Sequence, residues 1–341
     1  MEARFRRASG TFHIFISTEA LMQIRRLILL ILCVAGCARE PKTLPVHTTT
    51  ISWSSNERAI PKLQEKLKAE PDNLDLNVTL GQAYLQKARE TGDPSYYTKS
   101  EQLFENVLAS NGDHVEALIG KASLAMSRHQ FAAARDIAER AARLNSFSAA
   151  ARGILADAYV QLRDYDNAVR VLDEMVRLRP NLSSYSRISY MRELKGDRAG
   201  AIRAMEMAIQ AGAPDGENTA WCIVQLGNLY LGESRFSDAE TAYHAALNRF
   251  PNYVHGYAGL AKVSAARRDY DAAIRYYQRA IDGVPMPEFL IGLCSVYRQM
   301  GRTADAQAQL DLLSNIKKVY EANGVAMDAE IRQMMERAGI G

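Results

Sequence analysis

The sequence predicts an all-α solenoid built from about seven helix-turn-helix units stacked side by side. The first reason is an internal repeat, because the segment RDYDNAVRVLDEMVRLRP returns as RDYDAAIRYYQRAIDGVP and, more loosely, as SRFSDAETAYHAALNRFP. The second reason is the period, with small residues at spacings of 34, 34, 33, 38, 34 and 33 at Ser100, Ala134, Ala168, Ala201, Ala239, Ala273 and Ala306. The third is the composition, since 48% hydrophobic and 24% charged residues are typical of folded chains.

A second set of small residues marks the first helix of each unit. Its members are Gly81, Ala122, Ala156, Ser189, Gly227, Ala261 and Cys294. A bulky side chain in either set would push the two helices of a unit apart. Because no single unit can bury its apolar faces alone, the stacked units are expected to share one elongated core.

From about residue 74 to residue 318 the sequence resembles the tetratricopeptide repeat family. The aromatic position of that repeat is filled by Tyr97, Phe131, Tyr165, Phe236 and Tyr270, and the terminal proline by Pro180, Pro251 and Pro285. The resemblance implies a right-handed solenoid whose concave groove binds protein or peptide partners. Two units depart from the pattern. The first has a seven-residue insertion near TGDPSYY, and the fourth has a polar first helix and a longer exit loop.

The stretch LILLILCVAGCARE indicates an export signal. Its apolar run, Leu27–Ala38, is 12 residues long, whereas a membrane-spanning helix needs about 20. Arginines precede the run, as in a secretory signal. The residues Val34-Ala35-Gly36-Cys37 resemble the lipobox of bacterial lipoproteins, which implies that Cys37 carries lipid. The alternative is a core helix that ends in a free thiol.

The chain therefore divides into four predicted segments. Residues 1–36 form the signal peptide, of which residues 1–21 look like an upstream extension if Met22 is the true start. Residues 37–56 form a flexible tether, residues 57–320 the solenoid, and residues 321–341 a C-terminal capping segment. Asp328 is the expected N-cap of its helix and Gly339 the expected helix stop.

The sequence predicts a protein that is not an enzyme and has no cofactor, no metal site and no small-molecule substrate. It lacks a phosphate-binding glycine-rich loop and the motifs H-E-x-x-H, C-x-x-C and G-x-S-x-G. Five of the 42 basic and two of the 39 acidic residues lie in residues 1–36, which leaves 37 of each sign. This balance argues against a nucleic-acid partner. Cys222 and Cys294 are interpreted as buried small hydrophobes.

The groove is expected on the side of each first helix that turns away from the core, at about 100° of rotation per residue. Carrying the family's groove positions onto this chain selects Asp157, Arg187, Tyr190, Trp221, Gln225, Asn228, His255, Lys262 and Arg298. Tyr190 and Trp221 are expected to be exposed aromatic anchors for a partner. The alternative for Trp221 is that it packs on the neighbouring repeat.

Together these features favour a lipid-anchored adaptor that binds other envelope proteins through its concave groove. Because Ala38 carries no inner-membrane retention signal, the outer membrane facing the periplasm is the expected location. Two alternatives remain open. One is a regulatory subunit of an enzyme, such as a peptidoglycan enzyme, and the other is a cytosolic repeat scaffold with a spurious N-terminus.

Overall fold

The computed structural model describes residues 55–214 and 216–340, and within these ranges every regular element is a helix. Sixteen helices follow one another along the described chain. The predicted signal peptide, Cys37 and nearly all of the predicted tether lie outside the described residues. The all-α prediction is confirmed.

The helices are numbered in chain order. They are α1 (Ser55–Ala69), α2 (Leu74–Thr91), α3 (Tyr96–Ser110), α4 (Val115–Ser127), α5 (Phe131–Leu144), α6 (Ala149–Gln161), α7 (Tyr165–Leu178), α8 (Leu182–Leu194), α9 (Arg198–Gln210), α10 (Glu217–Gly232), α11 (Phe236–Arg249), α12 (Val254–Ala266), α13 (Tyr270–Gly283), α14 (Pro287–Gln299), α15 (Thr303–Glu321) and α16 (Asp328–Arg337).

Helices α2 to α15 form seven repeats of two helices each. The most extensive packing joins the two helices of one repeat, from the pair α2–α3 to the pair α14–α15. The second helix of each repeat then packs on the first helix of the next, so the repeats form a continuous stack. The prediction of about seven helix-turn-helix units is confirmed.

Small residues sit where the helices of a repeat touch. Ala134, Ala168 and Ala273 are 0% exposed, and the Ser100 hydroxyl donates a 2.8 Å hydrogen bond to the carbonyl of Gly81 on the facing helix. Each of these positions leaves no space for a longer side chain, which is why the sequence repeats small residues there.

Every turn inside a repeat contains one residue with left-handed backbone. These residues are Gly92, His129, Arg163, Gly196, Ser234, Arg268 and Gly301, with φ between 58° and 83°. The shared conformation reverses the chain in the same way seven times and keeps the two helices of each repeat antiparallel. Only three of the seven are glycine, so the turn geometry overrides residue preference at the other four.

The two ends of the solenoid differ from its regular middle. Helix α2 has 18 residues, whereas α4 and α6 have 13 each, so the predicted insertion lengthens the first helix of repeat 1. At the other end, α16 begins at Asp328 with Met327 as its N-cap, which corrects the predicted cap by one residue. Gly339, with φ of 66°, follows the end of α16 as predicted.

Helix α16 does not continue the regular stack. Its main helix contact is α14, the first helix of the last repeat. The buried side chains of the tail that follows α15 are Val325, Met327, Ile331, Met334 and Ile340. In the part of the chain that the structure describes, no helix is both long and apolar enough to cross a bilayer.

Candidate functional site

The concave side of the stack carries a pocket between the first helices of repeats 4 and 5. It is a half-open cleft of about 290 Å³, a volume that includes open solvent, and its enclosed part has room for about one water molecule. Its walls come from α8, α9 and α10, and its lining is Ser186, Ser189, Tyr190, Glu193, Met205, Trp221, Gln225 and Leu229. Three predicted groove residues, Tyr190, Trp221 and Gln225, therefore lie together on one surface.

The two predicted aromatic anchors are more deeply buried than expected. Tyr190 and Trp221 are each only 6% exposed, which corrects the expectation of exposed rings. The reason is that α8 and α10 come from successive repeats, and the large rings fill the space between these neighbouring helices. The alternative for Trp221, packing on the neighbouring repeat, agrees with this arrangement. Whether the rings bind a partner stays a prediction.

Two buried N–H groups of α10 lack a hydrogen-bond acceptor. They are Nε1 of Trp221 and Nε2 of Gln225, and the two side chains are 6% and 7% exposed. Two amide oxygens beside them are paired. Gln225 Oε1 accepts a 3.2 Å bond from Asn228 Nδ2, and Asn228 Oδ1 accepts a 2.8 Å bond from the Tyr243 hydroxyl. A buried donor without a partner costs about 1–3 kcal/mol, so an acceptor brought by another molecule would offset that cost.

The predicted groove residues Asp157 and Arg187 bind each other across repeats 3 and 4. Arg187 Nε lies 2.9 Å from Asp157 Oδ1, and Arg187 Nη2 lies 2.7 Å from Asp157 Oδ2. Burial raises the pKa of Asp157, although the Arg187 guanidinium acts in the opposite direction. The two-bond geometry fixes both side chains beside the pocket.

The predicted groove residues His255 and Lys262 belong to repeat 6. Burial lowers the pKa of His255 to about 4, and the positive charge of Lys262 acts in the same direction. The His255 ring meets the rings of Tyr253 and Phe289 edge-on, at centroid distances of 5.2 and 5.6 Å. His255 is thus held between aromatic rings, and it can carry a proton only under acidic conditions.

Sequence reasoning missed a buried carboxylate, Glu288, at the start of α14. Its side chain is 7% exposed, and neither oxygen accepts a hydrogen bond from another residue. Burial raises its pKa to about 7, against the influence of Lys262. A signal was present in the sequence: Glu288 precedes Cys294 by six residues, as Trp221 precedes Gly227 and His255 precedes Ala261. Glu288, Trp221 and His255 therefore occupy the same position in their repeats, and that position identifies all three as candidate site residues.

Arg298, the last predicted groove residue, is exposed near the end of α14 and does not line the pocket. Cys222 and Cys294 are free thiols with 0% exposure, as predicted, and burial raises the pKa of Cys222 to about 12. Among the residues that the structure describes, no cluster of three or more histidine, cysteine or acidic side chains could hold a metal ion. The pocket offers apolar contacts and hydrogen-bond donors to a binding partner.

Comparisons with known proteins agree with this architecture. Residues 119–183 and 224–285 match the tetratricopeptide repeat family, and no curated protein matches the chain. The crystal structure of the APC/C hetero-tetramer Cut9-Hcn1 is similar, with a TM-score of 0.59 and 14% identity over 84% of this chain and 53% of that chain. This chain thus spans about half the length of that relative.

Yeast Tom70 is also similar, with a TM-score of 0.57 and 12% identity over 94% of this chain and 72% of that chain. At these identities the two likenesses concern the fold alone. Proteins of this repeat type generally act as adaptors and bind other proteins. With seven stacked helix pairs, two segments that match the repeat family and these structural neighbours, the described part of the chain has the fold of a tetratricopeptide repeat solenoid.

Proposed function

We propose that this protein is a lipid-anchored, non-enzymatic adaptor of a bacterial envelope. It holds a segment of another envelope protein against its concave side, and the pocket between α8 and α10 is the main contact. The repeat fold supports a protein-binding role. The lipobox-like Val34–Cys37 sequence supports the lipid anchor and the location at the outer membrane facing the periplasm.

One observation carries the choice of the pocket: Trp221 Nε1 and Gln225 Nε2 are buried donors without acceptors. Folded proteins rarely leave buried polar groups unpaired, and the exceptions concentrate where a ligand completes the pairing. The two residues lie four positions apart on α10, so their side chains share one face of the helix. A bound segment that supplies carbonyl oxygens would pair with both.

The aromatic rings give the same pocket an apolar component. Tyr190 and Trp221 line the pocket together with Met205 and Leu229. Buried aromatic residues at the centre of an interface commonly contribute most of its binding energy. The partner segment that fits best therefore combines an apolar side chain with a hydrogen-bond acceptor beside it.

The test is capture of partners from detergent-solubilised bacterial envelope by crosslinking, with wild type and Trp221→Phe compared. The substitution keeps an aromatic ring and removes the N–H donor. Since Nε1 has no partner to lose, we expect the stability to change by less than about 1.5 kcal/mol. Loss of one hydrogen bond in the complex should lower affinity by about 3- to 10-fold.

Phe147→Ala provides the matched control. Phe147 is 80% exposed in the turn between α5 and α6 and is the most exposed large apolar side chain in the described part of the chain. Its removal should leave capture unchanged. Equal capture by Trp221→Phe and wild type, or loss of capture in Phe147→Ala, would place the binding surface outside the pocket.

A further inference from the structure

The two ends of the solenoid touch each other, although about 190 residues separate them in the sequence. A Cβ atom built on Gly92, in the turn of repeat 1, would lie 2.6 Å from Val284 Cγ1, between repeats 6 and 7. A Cβ atom on Gly324, in the tail, would lie 3.7 Å from Nε of Arg128, at the turn of repeat 2. The turns of the first two repeats thus rest on the junctions at the far end of the stack.

Polar contacts cross the same boundary. Arg89 Nη2, near the end of α2, lies 3.8 Å from Glu217 Oε2 and 3.5 Å from Asn218 Oδ1 at the start of α10. On the opposite side of the same carboxylate, the Tyr253 hydroxyl donates a 2.6 Å bond to Glu217 Oε1. In repeat 2, His129 bonds the backbone of Ala326 in the tail. Polar groups of the two sides thus meet at the boundary, although Glu217 Oε2 itself accepts no hydrogen bond.

Apolar side chains fill the rest of the boundary. Ala88, Tyr97 and Leu124, from the first two repeats, belong to the same buried cluster as Val284, Tyr320 and the tail. Ala88 and Tyr97 are 0% exposed. The longer α2 makes this contact possible, because the inserted residues extend the helix to Thr91 and place Gly92 against the last repeats. We call this contact the clasp. One side of it comprises residues 85–97 and 128–129, and the other side comprises residues 217–218, 284 and 320–340.

The clasp lies next to the concave residues of repeats 6 and 7. Tyr253 joins the two regions, since its hydroxyl bonds Glu217 of the clasp and its ring packs against His255. Glu288, at the same repeat position as Trp221 and His255, is 7% exposed and influences the pKa of Tyr320 in the clasp. Among the positions that face the groove at this end, Glu288 is covered, His255 and Lys262 are half-buried and Arg298 is exposed, whereas the pocket at α8 and α10 keeps an open mouth.

We propose that the clasp is an intramolecular lock that keeps Glu288 and the adjoining part of the concave surface covered and must part before a partner segment can occupy that part. The part of this proposal that concerns the partner rests on the proposed function, whereas the opening of the clasp does not. In the closed state the buried contacts of the tail hold both ends together. In the open state Glu288 becomes accessible, and the partner segment can extend from the pocket along α12 and α14.

The test compares Gly92→Asn with Gly196→Asn in the full chain. Both glycines occupy the left-handed position of a repeat turn, with φ of 61° and 83°. Asparagine tolerates this conformation, so the backbone effect is matched. Gly196 has no neighbour within 4 Å of a built Cβ, whereas Gly92 meets Val284. Only Gly92→Asn should push a polar side chain into the clasp.

The first readout is hydrogen–deuterium exchange, which needs no partner. In Gly92→Asn we expect exchange of residues 85–97 and 324–340 to rise by about tenfold or more, and in Gly196→Asn we expect no change there. Arg89→Ala removes the contact to Glu217 without altering the turn and should raise exchange of the tail in the same direction. Circular dichroism checks that the helices persist. If exchange of the tail stays at the wild-type rate in both clasp variants, there is no lock.

The second readout is partner capture under the conditions of the preceding section. Opening the clasp should increase the amount captured by Gly92→Asn and by Arg89→Ala, and not by Gly196→Asn. If the tail opens while capture stays the same or falls, the clasp is a structural contact and not a lock. A failure of the proposed function gives a different result: Trp221→Phe then captures as much partner as the wild type.

Discussion

The alanines between helices show how little space individual side chains have in this core. Ala273 is 0% exposed on α13, and Ala133 is exposed on α5. We expect Ala273→Leu to lower the free energy of unfolding by about 1–3 kcal/mol, because the added methylenes force the paired helices apart. Ala133→Leu should stay within about 0.5 kcal/mol of wild type. Thermal unfolding of both variants measures the difference, and equal melting would show that α13 does not make this contact.

Glu288 makes the stability of the protein depend on pH. Its pKa is about 7 in the folded state, against an ordinary value of 4.5, so the folded state holds the proton more tightly. The contribution of Glu288 is complete below pH 4.5 and is lost as the pH rises to about 7, by up to about 3 kcal/mol. His129 and His255, with pKa values lowered to about 4 from 6.5, act in the opposite direction as the pH rises from 4 to 6.5.

The substitution Glu288→Gln isolates this effect from that of the histidines. We expect the variant to lose the decline in stability between pH 5 and pH 8 that the wild type owes to Glu288. Urea unfolding at the two pH values measures it, with Glu105→Gln on the exposed face of α3 as control. A wild-type decline that persists unchanged in Glu288→Gln would mean that this carboxylate ionises normally in the folded protein.

Single residues also mark the limit of what the sequence could predict about the site. Repeat positions correctly placed Tyr190, Trp221 and Gln225 on one surface. They did not predict the depth of the rings, because the space between α8 and α10 depends on how neighbouring repeats cross. They also missed Glu288, since a glutamate in the first turn of a helix ordinarily indicates an exposed residue that stabilises the helix dipole.

At the scale of helices, an aromatic ring on the second helix of a repeat lies between two first helices, that of its own repeat and that of the next repeat. A Cβ atom on Gly227 would lie 2.6 Å from the Tyr243 ring, and a Cβ atom on Gly259 would lie 2.3 Å from it. The ring thus connects α10, α11 and α12 and cannot retreat from either glycine. The seven repeats owe their tight stacking to such contacts as much as to the alanines.

Gly259→Ala tests this packing. Alanine ordinarily stabilises a helix by about 1 kcal/mol relative to glycine, but here we expect net destabilisation, because the new methyl group meets Tyr243. Gly153→Ala on α6 is the control, since the nearest atoms to its Cβ, in the side chains of Arg187 and Met175, lie 3.2 Å away. Denaturant unfolding compares the two, and stabilisation by Gly259→Ala would show that Tyr243 can move aside.

The helices themselves were largely predictable, and the contact between the ends was not. A repeat of about 34 residues fixes the helix pairs, because each repeat meets mainly its neighbours. The clasp depends on how much the stack turns over seven repeats, which no single repeat encodes. The insertion near TGDPSYY signalled an irregular first repeat, and the structure shows that it extends α2 toward the last repeats.

At the scale of the whole molecule, the proposed anchor places the solenoid at a membrane surface. Cys37 is the proposed lipidation site, and the first described helix, α1, begins 18 residues later at Ser55. We expect Cys37→Ser to abolish incorporation of an alkyne fatty acid in a bacterial host and to leave the signal uncleaved. Gel mobility and click labelling measure both effects. Equal labelling of wild type and Cys37→Ser, or no labelling of either, would contradict a lipid on this residue.

The central claim, that the pocket between α8 and α10 holds the partner, is tested most directly by the fluorescence of Trp221. The chain has two tryptophans, so Trp53→Phe in the full chain leaves Trp221 as the sole reporter. Titration with the partner identified by crosslinking should shift the emission of Trp221 saturably, at the concentration where calorimetry detects binding. Saturable binding by calorimetry with no change in Trp221 emission would contradict the account, because it would place the partner away from the pocket.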